Sequence, residues 1–296
     1  NRSLEQRPNK RPVMSDLREC VTGDTLVTLA DGRRIPIASL AGTEPEVLAM
    51  DAGQKIVAAR SDRVWPVGRR AIVRVSLASG RVLRATAEHR IFTGKGWRTI
   101  AAIEIGDRVA IARVLPPVAD PVHWTDAEIV LLGHLIGDGS YLSHQPIRYT
   151  TASEENSGAV RRAAEAMGCT VNHHDGRGNW HQLVLSGNGD RWHPKAVNAW
   201  LRGQRSHEKR IPSEAFRLAN DRVALLLRHL WATDGSIHLR PEGQRGAARV
   251  YFATCSEGLA RDVAGLLLRL GIVGRIRALK PANGRTVWNV DVSGAD

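Results

Sequence analysis

Cys20, Thr86 and His89 are the first residues of this chain whose types and order suggest a reaction. Cys20 precedes Gly23-Asp24-Thr25, and Thr86 and His89 belong to a Thr-Ala-Glu-His tetrapeptide further along the chain. A thiol that attacks the carbonyl group before it needs a nearby acid or base, which a histidine can supply, and a hydroxyl group to orient the amide. Taken singly, an isolated cysteine is more often an inert buried residue, and a lone histidine a satisfied core group. The residues alone leave both interpretations open.

Two aspartates form a second candidate site. Asp138 and Asp234 each follow an apolar stretch with helical spacing, and each precedes a glycine. A carboxylate at a helix C-terminus costs about 0.3–1 kcal/mol because the helix dipole is negative there, whereas glycine at the next position is ordinary C-capping. One such end is simply a polar helix end. Two of them packed side by side would gather two carboxylates around a divalent cation, which would remove their repulsion.

Short β-strands are the elements that must position the cysteine, threonine and histidine. Residues 20–117 alternate short apolar runs with turn signals such as Asp31-Gly32 and Ser79-Gly80, a pattern typical of β-hairpins. We predict a small, turn-rich, all-β domain. Its predicted strands cover residues 25–29, 34–37, 72–77, 82–86, 91–93 and 107–112.

The aspartates require helices, and the sequence after a proline-rich linker predicts them. Thr125 and Glu128 form a capping box before an apolar helix that ends at Asp138. A second apolar helix covers residues 223–231 and stops at Asp234. The region therefore predicts an α/β domain in which two helices end in a carboxylate.

Both aspartates lie in an internal repeat. Segment 138–141 parallels 234–237, and segment 150–154 parallels 252–257. Each copy predicts a helix, a strand pair, a second helix and a second strand pair. After the first copy, the pattern predicts a further helix over residues 194–201.

The first candidate site resembles the N-terminal splicing half of inteins. Residues 20–25 are similar to the intein start motif, and the stretch 80–107 is similar to the second splicing motif with its Thr-x-x-His. The resemblance implies the β fold shared by Hedgehog proteins and inteins (HINT). It also implies an N-to-S acyl shift that converts the peptide bond before Cys20 into a thioester. Cys20 would be the nucleophile, and Thr86 and His89 would activate the scissile amide.

The repeat resembles intein-borne LAGLIDADG homing endonucleases of the two-repeat type. Residues 131–139 and 227–235 are similar to the two signature helices, and residues 209–212 to the Lys-x-Ile-Pro motif between them. The resemblance implies two pseudo-symmetric αββαββα halves and a Mg²⁺ ion held by Asp138 and Asp234. Strand pairs would enter the major groove of double-stranded DNA at the helicase-gene site that lacks the intein. Metal-activated water would then cut both strands.

Two lysines and one histidine refine this resemblance. The motif implies an outer-sphere role for Lys209, and Lys280 is a candidate for the same role only by its place after the second repeat's helix and glycine. His229 stands where the first signature helix has Gly133, at the point where the two helices approach closely. We expect this large side chain to loosen the packing and displace Asp234.

The charge of the chain adds a nucleic-acid signal. It contains 42 Lys and Arg residues against 30 Asp and Glu residues, a net charge of +12, which favours a polyanionic partner. Exposed strand faces are often basic without binding anything, so the arginines in the proposed strand regions are supporting evidence only. Those that could follow DNA phosphates are Arg148, Arg177, Arg240, Arg245, Arg249, Arg275, Arg277 and Arg285.

The first residues resemble another family. Segments 1–7 and 15–19 are similar to a stretch in the ATPase core of DnaB-type replicative DNA helicases, although the chain has no ATP-binding loop. We therefore predict a host (N-extein) segment over 1–19, a HINT splicing domain over 20–119 and an endonuclease domain over 120–296. The sequence ends without the His-Asn pair that excision needs. We expect splicing to require a C-terminal intein and extein segment, in cis or in trans.

Other classes of protein fit the composition less well. No apolar run approaches the roughly 20 residues of a membrane span, and three cysteines give no disulfide framework, so we expect a cytoplasmic protein. The cluster Cys169, His173, His174, His181 and His193 fits no standard zinc spacing. Two alternatives stay open. One is a DNA-cutting enzyme whose β half is vestigial, and the other is a non-catalytic DNA-binding remnant or degenerate intein with neither activity.

Overall fold

A computed structural model describes residues 19–142, 145–187, 200–201, 203–239 and 248–292. The described residues form two compact units. The first contains residues 19–29, 34–49 and 58–112, and the second contains 30–33, 50–57 and the described residues from 113 onward. No helix among the described residues is long and apolar enough to cross a bilayer.

Between residues 26 and 99, eight strands form four two-stranded sheets, and each sheet consists of two consecutive strands. Their strands are β1 (Leu26–Thr28) with β2 (Arg34–Pro36), β3 (Glu46–Met50) with β4 (Ile56–Arg60), β5 (Val73–Ser76) with β6 (Val82–Ala85), and β7 (Arg90–Thr93) with β8 (Gly96–Thr99). Gly32 and Gly80 have φ angles of 93° and 79°, which glycine adopts without steric cost. The turns predicted at these two glycines are therefore confirmed.

The strand predictions in this region were partly wrong. Residues 107–112 form no strand and contribute only an isolated bridge between Thr93 and Val109. Strands β3, β4 and β8 were not predicted, because the short runs EVLAM, IVAAR and GWRT lack a clear apolar alternation. The remaining predicted strands are confirmed to within two residues at each end.

The first repeat begins with a helix that is capped as predicted. Helix α1 (Asp126–Asp138) starts after Thr125, whose hydroxyl accepts from the Glu128 N–H, while the Glu128 carboxylate accepts from the Thr125 N–H at 2.7 Å. Such reciprocal capping satisfies two backbone donors that the helix itself cannot. The remaining elements are β9 (Gly139–Ser140), β10 (Ile147–Thr151), α2 (Glu154–Ala166), β11 (Thr170–Asp175) and β12 (His181–Ser186). The strands form an antiparallel sheet in the order β11-β12-β10-β9.

The second repeat has the same order of elements. They are α3 (Asn220–Asp234), β13 (Gly235–His238), β14 (Arg249–Thr254), α4 (Glu257–Arg269), β15 (Arg275–Leu279) and β16 (Val287–Asp291). The sheet order is β13-β14-β16-β15, which is equivalent to that of the first repeat. The predicted repeat of helix, strand pair, helix and strand pair is confirmed. The helix predicted over 194–201 lies almost entirely outside the described residues.

The core of the second unit lies between the helices and one face of each sheet. Helices α1 and α3 pack against each other, and each sheet is covered by its own helix, α2 or α4. Side chains that are fully buried there come from both repeats, among them Leu132, Leu135, Tyr149, Leu230 and Phe252. The predicted fold class, an all-β region followed by an α/β region of two repeats, is confirmed. The described residues form αββαββ in each repeat.

Candidate functional sites

Cys20 and Thr86 are joined by two hydrogen bonds. The Cys20 backbone N–H donates to the Thr86 hydroxyl at 3.1 Å, and the Thr86 N–H donates to the Cys20 carbonyl at 2.9 Å. They are adjacent because the residues after Cys20 run beside the end of β6, where Val21 bridges Ala85. Thr86 is 4% exposed, whereas Cys20 is only partly buried. The amide nitrogen that would leave in an acyl shift is thus held by a buried hydroxyl.

His89 borders the same peptide bond. Burial lowers the pKa of His89, while the Glu19 carboxylate and a hydrogen bond to the Glu19 backbone act in the opposite direction. The His89 Nδ1 atom is buried and has no hydrogen-bond partner among the described residues. A mainly neutral imidazole next to the Glu19–Cys20 bond can accept one proton and donate another.

An ion pair that the sequence did not indicate fixes the residue before Cys20. The Arg90 Nε atom donates to the Glu19 carboxylate at 2.6 Å. Arg90 directly follows His89 and begins β7, so the same strand end contacts Glu19 through two neighbouring side chains. The structure therefore brings Cys20, Thr86 and His89 together around one peptide bond.

The two aspartate-bearing helices meet through glycines of α1. A β-carbon on Gly133 would lie 2.9 Å from the His229 β-carbon, and one on Gly137 would lie 1.9 Å from the Thr233 hydroxyl. The larger side chains of α3 therefore fill the space that the two glycines of α1 leave. The expected loosening by His229 was wrong, because Gly133 accommodates this side chain from the opposite helix.

The glycine that follows each aspartate has a different role from the one predicted. Gly139 and Gly235 have φ angles of −79° and −79° and ψ angles near 150°, so neither is a left-handed C-cap. Instead, a β-carbon on Gly139 would lie 2.4 Å from the Leu135 carbonyl, and one on Gly235 would lie 2.2 Å from the Trp231 ring. Glycine is required because the chain passes close to the last helical turn as it enters the next strand.

Lys209 contacts the C-terminal end of α1. Its ammonium group donates to the carbonyl oxygens of Gly137 and Gly139, the latter at 3.1 Å, and the residue is 7% exposed. The pKa of Lys209 is lowered by burial, and Asp234 and Asp138 oppose that effect. The lysine predicted from the motif thus neutralises the negative end of α1 beside both carboxylates.

Both aspartate carboxyl groups are destabilised in their ionised form. Burial and, secondarily, Asp138 raise the pKa of Asp234 to about 6, and burial raises the pKa of Asp138 as well. Lys209 opposes both shifts without cancelling them. A divalent cation would stabilise the ionised form of both carboxyl groups.

The donor set of this pair fits Mg²⁺. Magnesium is usually held by one or two carboxylates together with waters and substrate phosphates, and the two aspartates supply that minimum. The described residues contain no group of three or more His, Cys, Asp and Glu side chains suited to a metal. Lys280 is exposed just after β15 and is not among the groups that shift the pKa of either aspartate. The structure therefore brings Lys209 to the pair, but not Lys280.

A row of hydrogen-bonded side chains lies behind the aspartates, and the sequence analysis did not predict it. The Tyr149 hydroxyl lies 3.0 Å from His134 Nδ1, and His134 Nε2 lies 3.1 Å from His229 Nδ1. Burial, with a smaller effect of His229, lowers the pKa of His134 to about 4, so this ring is neutral at pH 7. The row joins both signature helices to β10. No sequence spacing links these residues, because they meet only through the helix crossing.

Four of the eight arginines proposed as DNA contacts lie on the open faces of the two sheets. Arg148 alternates along β10 with the buried Ile147 and Tyr149, so it points away from the helices. In the second sheet, Arg249, Arg275 and Arg277 lie opposite His238, Asp291 and Asn289 respectively, on the face away from Phe252. Arg177 and Arg285 are exposed in the turns of the second hairpins. Arg240 and Arg245 lie outside the described residues.

The histidine cluster considered for zinc forms no metal group among the described residues. His173 and His181 stack with ring centroids 4.7 Å apart, and His173 contacts Asp175 at 3.1 Å. His193 lies outside the described residues, and His174 occupies the opposite face of its strand. This cluster is therefore explained by packing within the first sheet.

This chain is similar to known proteins. Residues 221–296 match the family of LAGLIDADG-like domains. The whole chain is 39% identical to the replicative DNA helicase DnaB of Rhodothermus marinus and covers 33% of that protein. Almost all of it (99%) aligns, at 35% identity, with DnaB of Synechocystis sp. and covers 35% of that protein. The chain is thus similar over its whole length to sequences of DnaB-type helicases, and its C-terminal part matches a LAGLIDADG-like domain.

The chain spans about a third of the length of the curated DnaB relatives that it matches. A solved structure, the M86 variant of the Ssp DnaB mini-intein, is 32% identical over 32% of this chain and 61% of that chain, with a TM-score of 0.31.

Proposed function

We propose that this chain is an intein that begins protein splicing at the Glu19–Cys20 bond. The Cys20 thiol loses its proton and its sulfur attacks the Glu19 carbonyl carbon. The C–N bond then breaks as the amide nitrogen takes up a proton. The products of the shift are a thioester between Glu19 and the Cys20 sulfur and a free Cys20 amino group, so atoms and charge balance.

The hydrogen bond between the Cys20 N–H and Thr86 is the observation that carries this proposal. A hydroxyl that already holds the N–H fixes the geometry of the leaving nitrogen before attack. The neutral His89 ring, beside the Glu19 backbone, can accept the thiol proton and return one to the nitrogen. Arg90 restrains the acyl side through the Glu19 carboxylate.

Thiol-induced release of the 19-residue N-terminal peptide tests the reaction. An added thiol exchanges with the thioester, so the wild-type chain should release the peptide, and Cys20→Ala should release none. His89→Ala should slow release by about 10²–10⁴-fold, the usual contribution of a general acid or base. Thr86→Val should also slow it, whereas Thr86→Ser, which retains the hydroxyl, should not. Release that persists in Cys20→Ala would reject the mechanism.

We infer that the second site hydrolyses double-stranded DNA. The two partly buried carboxyl groups at adjacent helix ends, whose pKa values are raised mainly by burial, support a divalent cation there, and Asp138 and Asp234 would hold it. When bound, Mg²⁺ supplies an activated water and stabilises charge on the phosphate. Lys209 would fix the end of α1 and contribute positive charge beside the phosphate. Lys280 remains a candidate on sequence grounds alone.

Cleavage of an uninterrupted helicase gene tests the nuclease. We expect linearisation of a plasmid carrying that site with Mg²⁺, none with EDTA, and none for Asp138→Asn or Asp234→Asn. Asp175→Asn, an exposed carboxylate on β11, should cleave like the wild-type protein. Binding without cleavage under every condition would favour the alternative of a non-catalytic DNA-binding remnant. Absence of both cleavage and peptide release would favour a degenerate intein.

We further propose the wider context from the sequence. Residues 1–19 would be the N-extein, 20–119 the HINT splicing domain and 120–296 the endonuclease domain of a DnaB-type helicase. Completion of splicing would need a C-terminal intein and extein segment in cis or in trans. The cytoplasm suits these reactions, because its reduced thiols keep a nucleophilic cysteine available.

A further inference from the structure

The open face of the second sheet carries a connected group of polar side chains that the first sheet lacks. Because directly opposed residues share a face, Ser236, Tyr251, Asp291 and Arg275 form one row across the four strands. The equivalent row of the first sheet contains only one charged residue, Arg148. The two sheets therefore differ in what they can recognise.

Arg249 is held by its neighbours in this group. Its Nε atom contacts the Asp291 carboxylate at 3.4 Å, and its guanidinium carbon lies 4.7 Å from the centre of the Tyr251 ring. The Asp291 side chain is 9% exposed, whereas that of Arg249 is 46% exposed. The contacts of Arg249 with described residues therefore use Nε and the flat face of the guanidinium group.

Tyr251 is fixed in turn by His238. Their rings stack at 5.7 Å, and His238 Nε2 lies 3.2 Å from the Tyr251 hydroxyl and 3.2 Å from the Ser236 hydroxyl. Because the Tyr251 ring is itself restrained, it holds the Arg249 side chain that stacks on it. Arg249 therefore has less rotamer entropy to lose on binding. Such a pre-organised arginine differs from a flexible phosphate contact.

We propose that Arg249 recognises a guanine in the DNA half-site bound by the second repeat. An arginine restrained through Nε presents its two terminal nitrogens together, and this fork matches the O6 and N7 acceptors of guanine in the major groove. Arg275 and Arg277, exposed on the same face, would contact phosphates. The assignment rests on the proposed DNA-binding function.

Base-by-base binding measurements test the assignment. The full chain is titrated, in EDTA at fixed salt, with duplexes spanning the helicase-gene insertion site in which each base pair is replaced in turn. Wild-type protein should lose about 5- to 150-fold in affinity when one guanine of one half-site is replaced, the range for a good bidentate contact. Arg249→Lys keeps the charge but lacks the fork. It should lose this discrimination and retain that at every other position.

Matched variants distinguish the effect of the guanidinium fork on guanine discrimination from the effects of charge and folding. Arg277→Lys, on the same open face, should keep the guanine preference. Tyr251→Phe should keep it because the ring remains, whereas Tyr251→Leu should reduce it. Discrimination that survives Arg249→Lys, or a uniform loss at all positions, would overturn the guanine assignment while leaving DNA binding intact. Failure of the wild-type protein to bind any duplex would instead overturn the proposed DNA function.

Discussion

At the scale of single residues, Asp234 links the second site to pH. Its folded-state pKa of about 6 lies above the value of about 3.9 for an unfolded aspartate. The folded protein therefore retains a proton that the unfolded chain releases. Stability should fall as pH rises from about 4 to about 6, and the full loss of stability should be present above pH 6. The site is destabilising until a cation binds it.

We predict that Asp234→Asn stabilises the metal-free protein. The gain in the free energy of unfolding should be roughly 1–3 kcal/mol at pH 7.5 and near zero at pH 4. The substitution removes the cost of burying an ionised carboxylate and its repulsion by Asp138, and both exist only when Asp234 is ionised. Urea unfolding at both pH values, in EDTA, measures it. Glu155→Gln, at an exposed carboxylate in the first turn of α2, is the control and should change little at either pH. Equal stability of the wild-type protein and Asp234→Asn at pH 7.5 would contradict the prediction.

At the scale of secondary-structure elements, the crossing of α1 and α3 depends on Gly137. A β-carbon at this position would overlap the Thr233 side chain, so the helices would have to separate. We predict that Gly137→Ala destabilises the second unit by about 1–3 kcal/mol, as overpacked interiors do. It should also weaken Mg²⁺ binding, because it moves the helix end that carries Asp138. Chemical unfolding and metal titration by calorimetry measure the two effects.

Gly158 provides the matched control for that substitution. It also lies inside a helix, α2, but a β-carbon there would meet only the end of the flexible Arg162 side chain at 3.1 Å. Gly158→Ala should therefore be neutral or stabilise the protein by up to about 1 kcal/mol through helix propensity. If both glycine substitutions had the same effect, helix propensity and not the crossing would be responsible.

The elements also show what the sequence could predict. Helices α1 and α3 and the repeat were predictable, because apolar periodicity and an aspartate–glycine end recur in both copies. The hairpins with left-handed glycines were predictable for the same local reason. The strands β3 and β4 were not, since their pairing depends on partners and not on their own pattern. Likewise, the contact of Lys209 with the end of α1 arises from residues distant in sequence.

At the scale of the whole molecule, the two candidate sites lie in different compact units. Each unit has its own internal contacts, and multi-unit proteins commonly depart from a single cooperative transition. We expect calorimetry to show two thermal transitions. Mg²⁺ at about 100 times its dissociation constant should add about 2.7 kcal/mol to the unit that binds it, a shift of about 5–10 °C in that transition alone.

Substitutions should identify which transition belongs to which site. Asp234→Asn should abolish the Mg²⁺ shift, and Gly137→Ala should lower the same transition, while neither changes the rate of thiol-induced peptide release at 25 °C. Release should instead be lost with the transition that Mg²⁺ leaves unchanged, because the Cys20–Thr86 hydrogen bonds belong to the first unit. A single transition that Mg²⁺ raises as a whole would mean that the two units unfold together. In that case, a substitution that weakens the helix crossing would also destabilise the folded structure around the Glu19–Cys20 bond.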